Sequence, residues 1–261
     1  MILTVDIGNT NIVIGCVEGE KILHTARIHT DPIRTSDEYW AQLKMLLEVQ
    51  GVDCRQIEGS IIASVVPQVL NSMQTAVKKL TGKNCLVVGP GLKTGLNILI
   101  ENPSQTGADL VVGAVAALEK YPAPLIVVDM GTATTLVVLD KSGALVGGAV
   151  CPGVRISMDA LTQRTALLPG LQLDRPKNAI GRNTIDCMRS GIMYGTAAQI
   201  DGMLDRMEEE LGESTTVIAT GGMAQFIAPL CKNSIIVEKD LLLKGLNILY
   251  KKNKRPNKTS G

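Results

Sequence analysis

Short apolar runs separated by polar turns begin the chain and predict three consecutive β-strands, with tight turns at Gly8 and at residues 18–20. After Ser36 the apolar residues recur at the spacing of an amphipathic helix. The predicted elements of this half are two strands within 4–17, a strand over 21–28, a helix from Ser36, a strand over 60–66, a helix over 67–80 and a strand over 85–88. The order β-β-β-α-β-α-β is typical of a mixed sheet covered by helices.

The second half of the chain repeats this order after a helix of about fifteen residues that begins at Gln105. The predicted elements are strands over 125–130, 133–139 and 144–150, helices near 153–165 and 186–211, a strand over 215–219, and helices near 222–230 and 240–250. A chain of 261 residues is expected to form two domains that each bury a core. We predict an N-terminal domain over 1–115, a C-terminal domain over 116–250 and a disordered basic tail over 251–261.

One short motif occurs in both halves: a buried strand that delivers an aspartate, followed by a glycine turn. Asp6 and Gly8 form it in the first half, and Asp129 and Gly131 form it in the second. Glycine lets the backbone come close to a phosphate, and the amides and hydroxyls of the turn donate hydrogen bonds to its oxygens. A metal ion between carboxylate and phosphate would offset the repulsion of the two anions. One copy is equally compatible with a hairpin turn without a ligand, but two copies suggest a cleft that holds a polyphosphate from both sides.

A second repeat follows each of these motifs. Residues 61–64 and 217–220 are both apolar strands that end in a hydroxyl residue, an alignment that places Ser64 opposite Thr220. Internal repeats constrain the architecture more strongly than single residues do. The sequence therefore predicts two halves of similar fold.

Charge and cysteine usage exclude several classes of protein. The 26 Lys and Arg residues are balanced by 25 Asp and Glu residues, so no overall field attracts nucleic acid. Six cysteines are scattered without a C-x-x-C pair and there are only two histidines, which argues against a zinc site and a disulfide framework. No apolar run approaches the roughly 18 residues of a membrane span, and the first residues are not those of a signal peptide. We expect a cytoplasmic protein.

An ordered set of motifs carries a resemblance to a known family over nearly the whole chain. The motifs are DIGNTN at 6–11, ENP at 101–103 with GAD at 107–109, DMGTATT at 129–135, PGVRIS at 152–157, IGRNTIDCMRSG at 180–191 and TGG at 220–222. The duplicated sheet with paired D-x-G turns resembles the actin-like (ribonuclease H-like), sugar kinase and Hsp70 ATPase fold. Within that group the sequence resembles the type III pantothenate kinases. The resemblance implies two similar βββαβαβα domains around a nucleotide cleft.

The resemblance also implies an activity, the ATP-dependent phosphorylation of pantothenate in the first step of coenzyme A biosynthesis. Thr132 and the first turn would hold the phosphates of ATP, Asp6 would face the magnesium–ATP complex, and Asp129 would coordinate a monovalent cation, K⁺ or NH₄⁺. The residues of the first turn are Asp6, Ile7, Gly8, Asn9, Thr10, Asn11, Ile12 and Val13. Those implied to bind pantothenate are Gly107, Ala108, Asp109 and Thr184. Asp109 corresponds to the general base, and Thr184 would come from the neighbouring subunit of a homodimer whose active site lies at the subunit interface.

The chemistry of phosphoryl transfer gives Asp109 an independent rationale. The reaction needs charge neutralisation and an aligned nucleophile, and a carboxylate that accepts the alcohol proton late in the transition state suits it. Small neighbours, Gly107 and Ala108, leave room for an acceptor molecule. From the local sequence alone, Asp109 is better explained as a cap of the predicted helix, and it is the family resemblance that favours the general base.

Other candidate residues also have structural alternatives. Asp129 is suited to a hard cation with carbonyl oxygens, but it is equally suited to accept the amides of its own turn. Thr184 is either a substrate ligand or the N-cap of the helix that follows. Gly221 and Gly222 either receive adenosine or let a strand and a helix pack closely.

Two residues depart from the family pattern at the acceptor end. Leu110 stands where the family has arginine after G-A-D, and Ile100 stands where it has tyrosine. Arginine pairs with both oxygens of a carboxylate, and pantothenate carries one. A lost hydrogen bond to a charged group costs about 1.5–3 kcal/mol, a roughly 10- to 100-fold loss of affinity, unless another cation compensates. Arg155 and Arg164 are candidates for that cation.

Three functions therefore compete. The first is a type III pantothenate kinase, and the second is a kinase for a related uncharged alcohol such as pantetheine, favoured by the apolar Leu110 and Ile100. The third is a non-catalytic nucleotide-binding transcriptional accessory factor of the same family. The retained Asp6, Asp109 and Asp129 argue against it, because a binding module needs no base. For the homodimer, an apolar helix face is predicted from Ile192, Tyr194, Ala197 and Ile200, residues that core packing would explain as well.

Overall fold

A computed structural model describes residues 1–164 and 174–254. The chain forms two compact units. The first contains Met1–Leu96 and Asn102–Glu119 together with the helix that follows Asp240. The second contains Asn97–Glu101 and Lys120–Asp240.

The first unit is a five-stranded mixed sheet with helices on both faces. Its strands are β1 (Ile2–Ile7), β2 (Asn11–Glu18), β3 (Lys21–His29), β4 (Gly59–Ser64) and β5 (Leu86–Val87), and its helices are α1 (Ser36–Val49), α2 (Pro67–Thr81) and α3 (Ala108–Lys120). The strand order is β3-β2-β1-β4-β5, with β1 to β3 antiparallel and β4 and β5 parallel to β1. This is the predicted order, except that α3 starts three residues after the predicted Gln105, behind a short 3₁₀ turn at Pro103–Gln105.

Apolar residues cover both faces of this sheet because its central strands are apolar almost throughout. On one face, Leu3, Val5 and Ile7 of β1 pack with Leu43 of α1 and Met73 of α2, all fully buried. On the other face, Ile61 and Ala63 of β4 pack in a cluster with residues of α3. Burying each large side chain contributes roughly 1.5–3 kcal/mol relative to leaving it exposed. The central strand β1, which carries Asp6, is therefore rigidly held.

The second unit repeats this architecture. Its strands are β6 (Leu125–Met130), β7 (Ala133–Leu139), β8 (Leu145–Pro152), β9 (Thr216–Thr220) and β10 (Ile235–Val237), and its helices are α4 (Val154–Arg164), α5 (Thr184–Leu211) and α6 (Ala224–Ile227). The strand order is β10-β9-β6-β7-β8, which corresponds element by element to the first sheet. The short strand β10 was not among the predicted elements, because three residues give too little periodicity to detect. No helix in the described ranges is long and apolar enough to cross a membrane.

The pairing of the strands shows that the predicted alignment of residues 61–64 with residues 217–220 is wrong by one residue. In the first sheet Asp6 is paired with Ala63, whereas in the second Asp129 is paired with Thr220. Thr220 therefore corresponds to Ala63 rather than to Ser64, and the structural counterpart of Ser64 is Gly221. Both strands are apolar on both faces, so no alternation was available to reveal the register.

The C-terminal helix α7 (Leu241–Asn253) belongs to the first unit, not to the predicted domain 116–250. Two glycines let it pack closely there: a Cβ on Gly59 of β4 would overlap the ring of Tyr250, and a Cβ on Gly245 would overlap the carbonyl of Val112. Residues 251–253 are helical, so the predicted tail begins too early. Its residues 255–261 lie outside the described ranges, as does residue 165 at the predicted end of α4.

The helix face predicted for dimerisation is also corrected. Ile192, Ala197 and Ile200 of α5 are at most 6% exposed and pack in the core of the second unit with strand β6 and the 224–227 helix. Core packing, the alternative interpretation, accounts for these three residues, whereas Tyr194 is half-buried and is not part of this core cluster. The sequence pattern could not separate the two because an apolar stripe is the same for either partner.

Candidate active site

The first glycine turn joins β1 to β2 and is a compact hairpin loop. Ile7 is paired with Ile12 across the strands, and the amide of Gly8 donates to the carbonyl of Asn11 at 3.0 Å. Asn9 and Thr10 are exposed at the tip. Asp6, half-buried, lies on β1 just before the loop. The predicted nucleotide-binding residues 6–13 thus form one hairpin, with its polar groups at the carboxyl end of β1.

The second glycine turn joins β6 to β7 and is one residue shorter. Met130 is paired with Thr134, so three residues lie between the last paired residues here, against four between Ile7 and Ile12 in the first turn. Gly131 and Thr132 are exposed, and Asp129 is half-buried. The sequences 6–9 and 129–132 therefore align without a gap, which places Thr132 opposite Asn9, and the strands that follow are offset by one residue.

Two further motifs pack directly on this second turn. A Cβ on Gly153, the residue before α4, would overlap the carbonyl oxygen of Thr132. Gly221 has φ +90°, and a Cβ there would lie 2.5 Å from Oδ1 of Asp129 and 2.6 Å from the carbonyl oxygen of Met130. The same structural constraint thus explains a glycine in both the PGVRIS motif and the TGG motif. In each, the chain packs so closely on the turn of Asp129 that a side chain would not fit. The close-packing alternative for Gly221 accounts for this contact, and binding of adenosine there stays a prediction.

Asp109 is the second residue of α3 in the first unit. Burial raises the pKa of its carboxyl group above the usual 3.8, although its Oδ1 accepts a hydrogen bond from the amide of Leu110 at 2.9 Å. Gly107 lies close beside it, since a Cβ there would be 2.5 Å from Oδ1 in its present position. The hydroxyl of Thr106 is buried without a hydrogen-bond partner among the described residues. Asp109 is thus placed among small or apolar neighbours.

The geometry of Asp109 differs from that of a helix cap. An N-cap carboxylate lies before the helix and is stabilised in its charged form by helix amides, which lowers its pKa. Asp53, the N-cap of the 3₁₀ turn Cys54–Gln56, shows that behaviour, since hydrogen bonds from the side chain and the amide of Arg55 lower its pKa. Asp109 lies inside its helix and its pKa shifts the other way. A raised pKa is what a proton acceptor needs, so the capping alternative is less well supported.

Thr184 is not the N-cap of its helix. Asn183 caps α5, with its Oδ1 accepting from the amide of Asp186 at 2.9 Å. Thr184 is the first helical residue and is exposed, so its side chain is accessible to a ligand. The capping alternative for Thr184 is therefore wrong, and its role toward a substrate stays a prediction.

The two departures from the family pattern fall in different units. Leu110 lies in α3 of the first unit, with its Cγ 3.5 Å from a Cβ position on Gly107. Ile100 lies in the Asn97–Glu101 segment, which joins the second unit through a hydrogen bond from the amide of Leu99 to the carbonyl of Leu145 at 2.8 Å. Both side chains are partly exposed.

The arginines proposed as substitutes differ in accessibility. Arg155 is exposed in the first turn of α4, and the side chain of Arg164 lies outside the described part of the chain. Arg189 of α5 was not singled out from the sequence; its guanidinium lies 3.3 Å from Asp186 and 3.9 Å from Asp174. Two carboxylates already neutralise Arg189, so Arg155 is better suited than Arg189 to bind the carboxylate of an acceptor molecule.

A solved structure confirms the fold class. The activator of the 2-hydroxyisocaproyl-CoA dehydratase from Clostridium difficile, determined with bound ADPNP, aligns with a TM-score of 0.61 over 100% of this chain and 99% of its own. The two sequences are 13% identical, so the likeness concerns the fold alone. The duplicated actin-like ATPase fold, with two similar α/β units, is thereby established.

Curated relatives and a family model agree on the family. A type III pantothenate kinase from Exiguobacterium sp. (strain ATCC BAA-1283 / AT1b) is 46% identical over 98% of this chain and 100% of its own. One from Moorella thermoacetica (strain ATCC 39073 / JCM 9320) is 44% identical over 97% of this chain and 100% of its own. The family model for type III pantothenate kinase matches residues 2–206, which include both glycine turns and Asp109. The chain belongs to the type III pantothenate kinase family.

Proposed function

We propose that this protein transfers the γ-phosphoryl group of ATP to pantothenate, giving 4′-phosphopantothenate, the first step of coenzyme A biosynthesis. The observation that carries the proposal is the 46% identity to a type III pantothenate kinase over 98% of the chain. Family membership makes the protein a phosphotransferase. The geometry of each unit supports distinct roles for its polar residues.

Residues 6–13 and Thr132 are assigned to the phosphates of ATP. The exposed tips of the two hairpins, Asn9–Thr10 and Gly131–Thr132, present amides and hydroxyls at the carboxyl ends of their central strands. Mg²⁺ bound with ATP would neutralise phosphate charge, and the carboxylate of Asp6 is a suitable oxygen partner for that ion. These features fit a magnesium–nucleotide complex.

Asp109 is assigned as the general base, in contact with pantothenate together with Gly107 and Ala108. The alcohol of the acceptor keeps its proton until late in the transition state, and the carboxylate accepts it as the bond to phosphorus forms. The raised pKa of Asp109, caused by burial, makes the carboxylate a stronger base than an exposed aspartate. This supports a base rather than a metal ligand at this position.

Asp129 is assigned to a monovalent cation, K⁺ or NH₄⁺. Its Oδ1 and the carbonyl oxygen of Met130 both lie beside Gly221, 2.5 and 2.6 Å from the position that a Cβ on this glycine would take. Carboxylate and carbonyl oxygens are suitable ligands for a hard cation, which would add positive charge near the phosphates.

The residues at the acceptor end affect which alcohol the protein can bind. With Leu110 in place of an arginine, the carboxylate of pantothenate needs another cation, and exposed Arg155 is our candidate. Leu110 and Ile100 also favour the second candidate function, phosphorylation of an uncharged relative such as pantetheine. A non-catalytic regulator is disfavoured because the chain keeps the base Asp109 together with both turn aspartates.

We also assign a homodimer, with Thr184 reaching the pantothenate site of the neighbouring subunit. The second unit exposes large apolar side chains that a partner subunit would cover, among them Val150 at 74% and Ile180 at 83%. Exposed Thr184 lies four residues from Ile180 in the sequence.

Six unpaired cysteines support a cytoplasmic location.

The test is release of ADP by the purified protein with Mg-ATP, in potassium or sodium, with pantothenate, pantetheine or no acceptor. The Asp109→Asn variant is the control for background hydrolysis. Potassium-dependent release that requires pantothenate and disappears in the variant supports the proposal. Release with pantetheine alone supports the second candidate, and no release while ATP still binds contradicts both.

A further inference from the structure

Thr30 holds the first glycine turn from outside the D-x-G motif. It is the residue immediately after β3 and is 4% exposed. Its hydroxyl donates to the carbonyl of Gly8 at 2.7 Å, and its amide donates to the carbonyl of Thr10 at 3.0 Å. One residue thus binds two carbonyls of the hairpin loop, one on each side of Asn9.

These two hydrogen bonds set the direction of the neighbouring amides. In a trans peptide the C=O and N–H groups point in opposite directions, and rotation of the peptide plane moves both together. With the Gly8 and Thr10 carbonyls bound to Thr30, the N–H groups of Asn9 and Asn11 are turned away from Thr30. A loop that lost either bond could rotate these peptides, and its amides would then sample other directions.

Thr30 is itself fixed by the hydrophobic core through the next residue. The hydroxyl of Tyr39 donates to the carbonyl of Asp31 at 2.8 Å and accepts from the amide of Asp31 at 3.2 Å. The Tyr39 ring is fully buried in the first turns of α1, a helix that begins with the capping box of Thr35 and Glu38. A chain of contacts therefore connects the exposed loop to the packed interior.

In the second unit, the residue at the same topological position also packs on the glycine turn. Gly153 is the first residue after β8, as Thr30 is the first after β3, and a Cβ on it would lie 2.1 Å from the carbonyl oxygen of Thr132. The two units use different chemistry, a hydroxyl donor in one and a closely packed glycine in the other. Contact between the glycine turn and the residue after the third strand is thus a feature of both halves.

We propose that Thr30 is a positioning residue for ATP binding, which orients the amides of the Asn9–Asn11 loop toward the nucleotide phosphates, with Tyr39 holding Thr30 in place. The inference rests on the proposed assignment of residues 6–13 to ATP. It goes further in naming a residue outside that segment on which the affinity for ATP depends. Thr30 acts through the loop and does not itself contact the substrate.

The experiment compares Thr30→Val, Thr30→Ser and Tyr39→Phe by calorimetric binding of Mg-ATP, by the KM for each substrate and by thermal unfolding. Valine keeps the shape and the amide of Thr30 but removes the hydroxyl donor, whereas serine keeps the donor. Thr4→Val is the matched control, because Thr4 is also buried in this unit and its hydroxyl also donates to a glycine carbonyl, that of Gly15 at 3.1 Å.

Thr30→Val is expected to weaken ATP binding about tenfold, the effect of one lost hydrogen bond. Its KM for pantothenate should stay within about twofold, and Thr30→Ser should restore most of the affinity for ATP. Tyr39→Phe should give a smaller loss in the same direction. Thr4→Val should lower the melting temperature without changing ATP affinity.

Equal ATP affinity in Thr30→Val and wild type would overturn the inference, as would equal losses of affinity in Thr30→Val and Thr4→Val. If Thr30→Val does not fold, Tyr39→Phe decides the question: a larger loss of ATP affinity than in Thr4→Val supports the inference, and an unchanged affinity overturns it. Wild-type protein that binds no ATP at all would instead refute the proposed function, so the two failures are distinguishable.

Discussion

Gly221 lies against Asp129 so closely that a methyl group on it would come within 2.5 Å of the Asp129 carboxylate oxygen. The two residues are 92 positions apart in the sequence. They meet because β9 and β6 are parallel neighbours, with Thr220 paired to Asp129. The TGG motif therefore matters to the cation site that we assign to Asp129.

Gly221→Ala is expected to destabilise the second unit and to weaken activation by K⁺. The substitution adds left-handed strain of about 1–2 kcal/mol and a steric overlap of about 1–3 kcal/mol. The control is Gly212→Ala, since Gly212 also has a positive φ, +73°, but no atom within 4 Å of its Cβ position. Denaturant unfolding and a potassium titration of activity measure both effects. If the two variants lose equal stability and equal potassium activation, the contact with Asp129 has no special role.

Asp109→Asn is expected to lower kcat by about 10²- to 10⁴-fold, the usual range for loss of a general base. In wild type, kcat/KM should fall with decreasing pH at a higher value than for an ordinary aspartate, because burial raises the pKa of Asp109. The measurement is a pH profile of kcat/KM for wild type. An acidic limb at the ordinary aspartate pKa of 3.8 would contradict the assignment.

The same substitution is expected to increase stability at neutral pH. A raised folded-state pKa means that the native state binds the proton more tightly than the unfolded chain, so Asp109 stabilises the fold at low pH and loses that contribution as pH rises through the folded value. Asparagine does not ionise, so its advantage should grow from acid to neutral pH. Urea unfolding across that pH range measures it. A variant that is less stable than wild type at every pH would count against the burial of a charged carboxylate.

Leu110→Arg is expected to lower the KM for pantothenate by roughly 10- to 100-fold if no other cation binds its carboxylate. Leu110→Gln is the control, because it adds a polar group without charge. The KM for pantetheine, which has no carboxylate, should not improve. If Leu110→Arg leaves the KM for pantothenate unchanged while Arg155→Gln raises it, Arg155 already supplies the cation.

Gly59→Ala is expected to weaken the packing of α7 on the first sheet, because the new methyl group would overlap the Tyr250 ring and force it to move. Overpacking of this kind costs about 1–3 kcal/mol. Gly89→Ala is the control, since nothing lies within 4 Å of a Cβ at Gly89. In thermal unfolding, Tyr250→Ala should recover part of the stability lost in Gly59→Ala. Additive losses in the double variant would show that the two residues do not interact.

Much of the fold followed from sequence because its signals are local. Strands β1 to β4, helices α1 and α2 and the hairpins at Gly8 and Gly131 have clear apolar periods bounded by turn residues. The repeated D-x-G turns located the duplication, and the ordered motifs indicated the family. Asp6, Asp109 and Asp129 were singled out because carboxylates at strand ends and helix starts are local patterns as well.

The remaining features depend on contacts between distant residues. Only the folded sheets set Thr220 opposite Asp129, because the strands are apolar on both faces and allow either register. Tertiary packing alone decides that α7 belongs to the first unit, and it buries Ile200 in the core of the second unit.

The sequence by itself determined the duplicated α/β architecture, the family and the two glycine turns, since periodicity and turn chemistry are read within a few residues. The tertiary structure decided that Asn183 rather than Thr184 caps α5, that burial raises the pKa of Asp109, and that Thr30 holds the first turn. Each of these depends on which atoms meet in space. Hydrogen bonds and desolvation act over a few ångströms, whatever the separation along the chain.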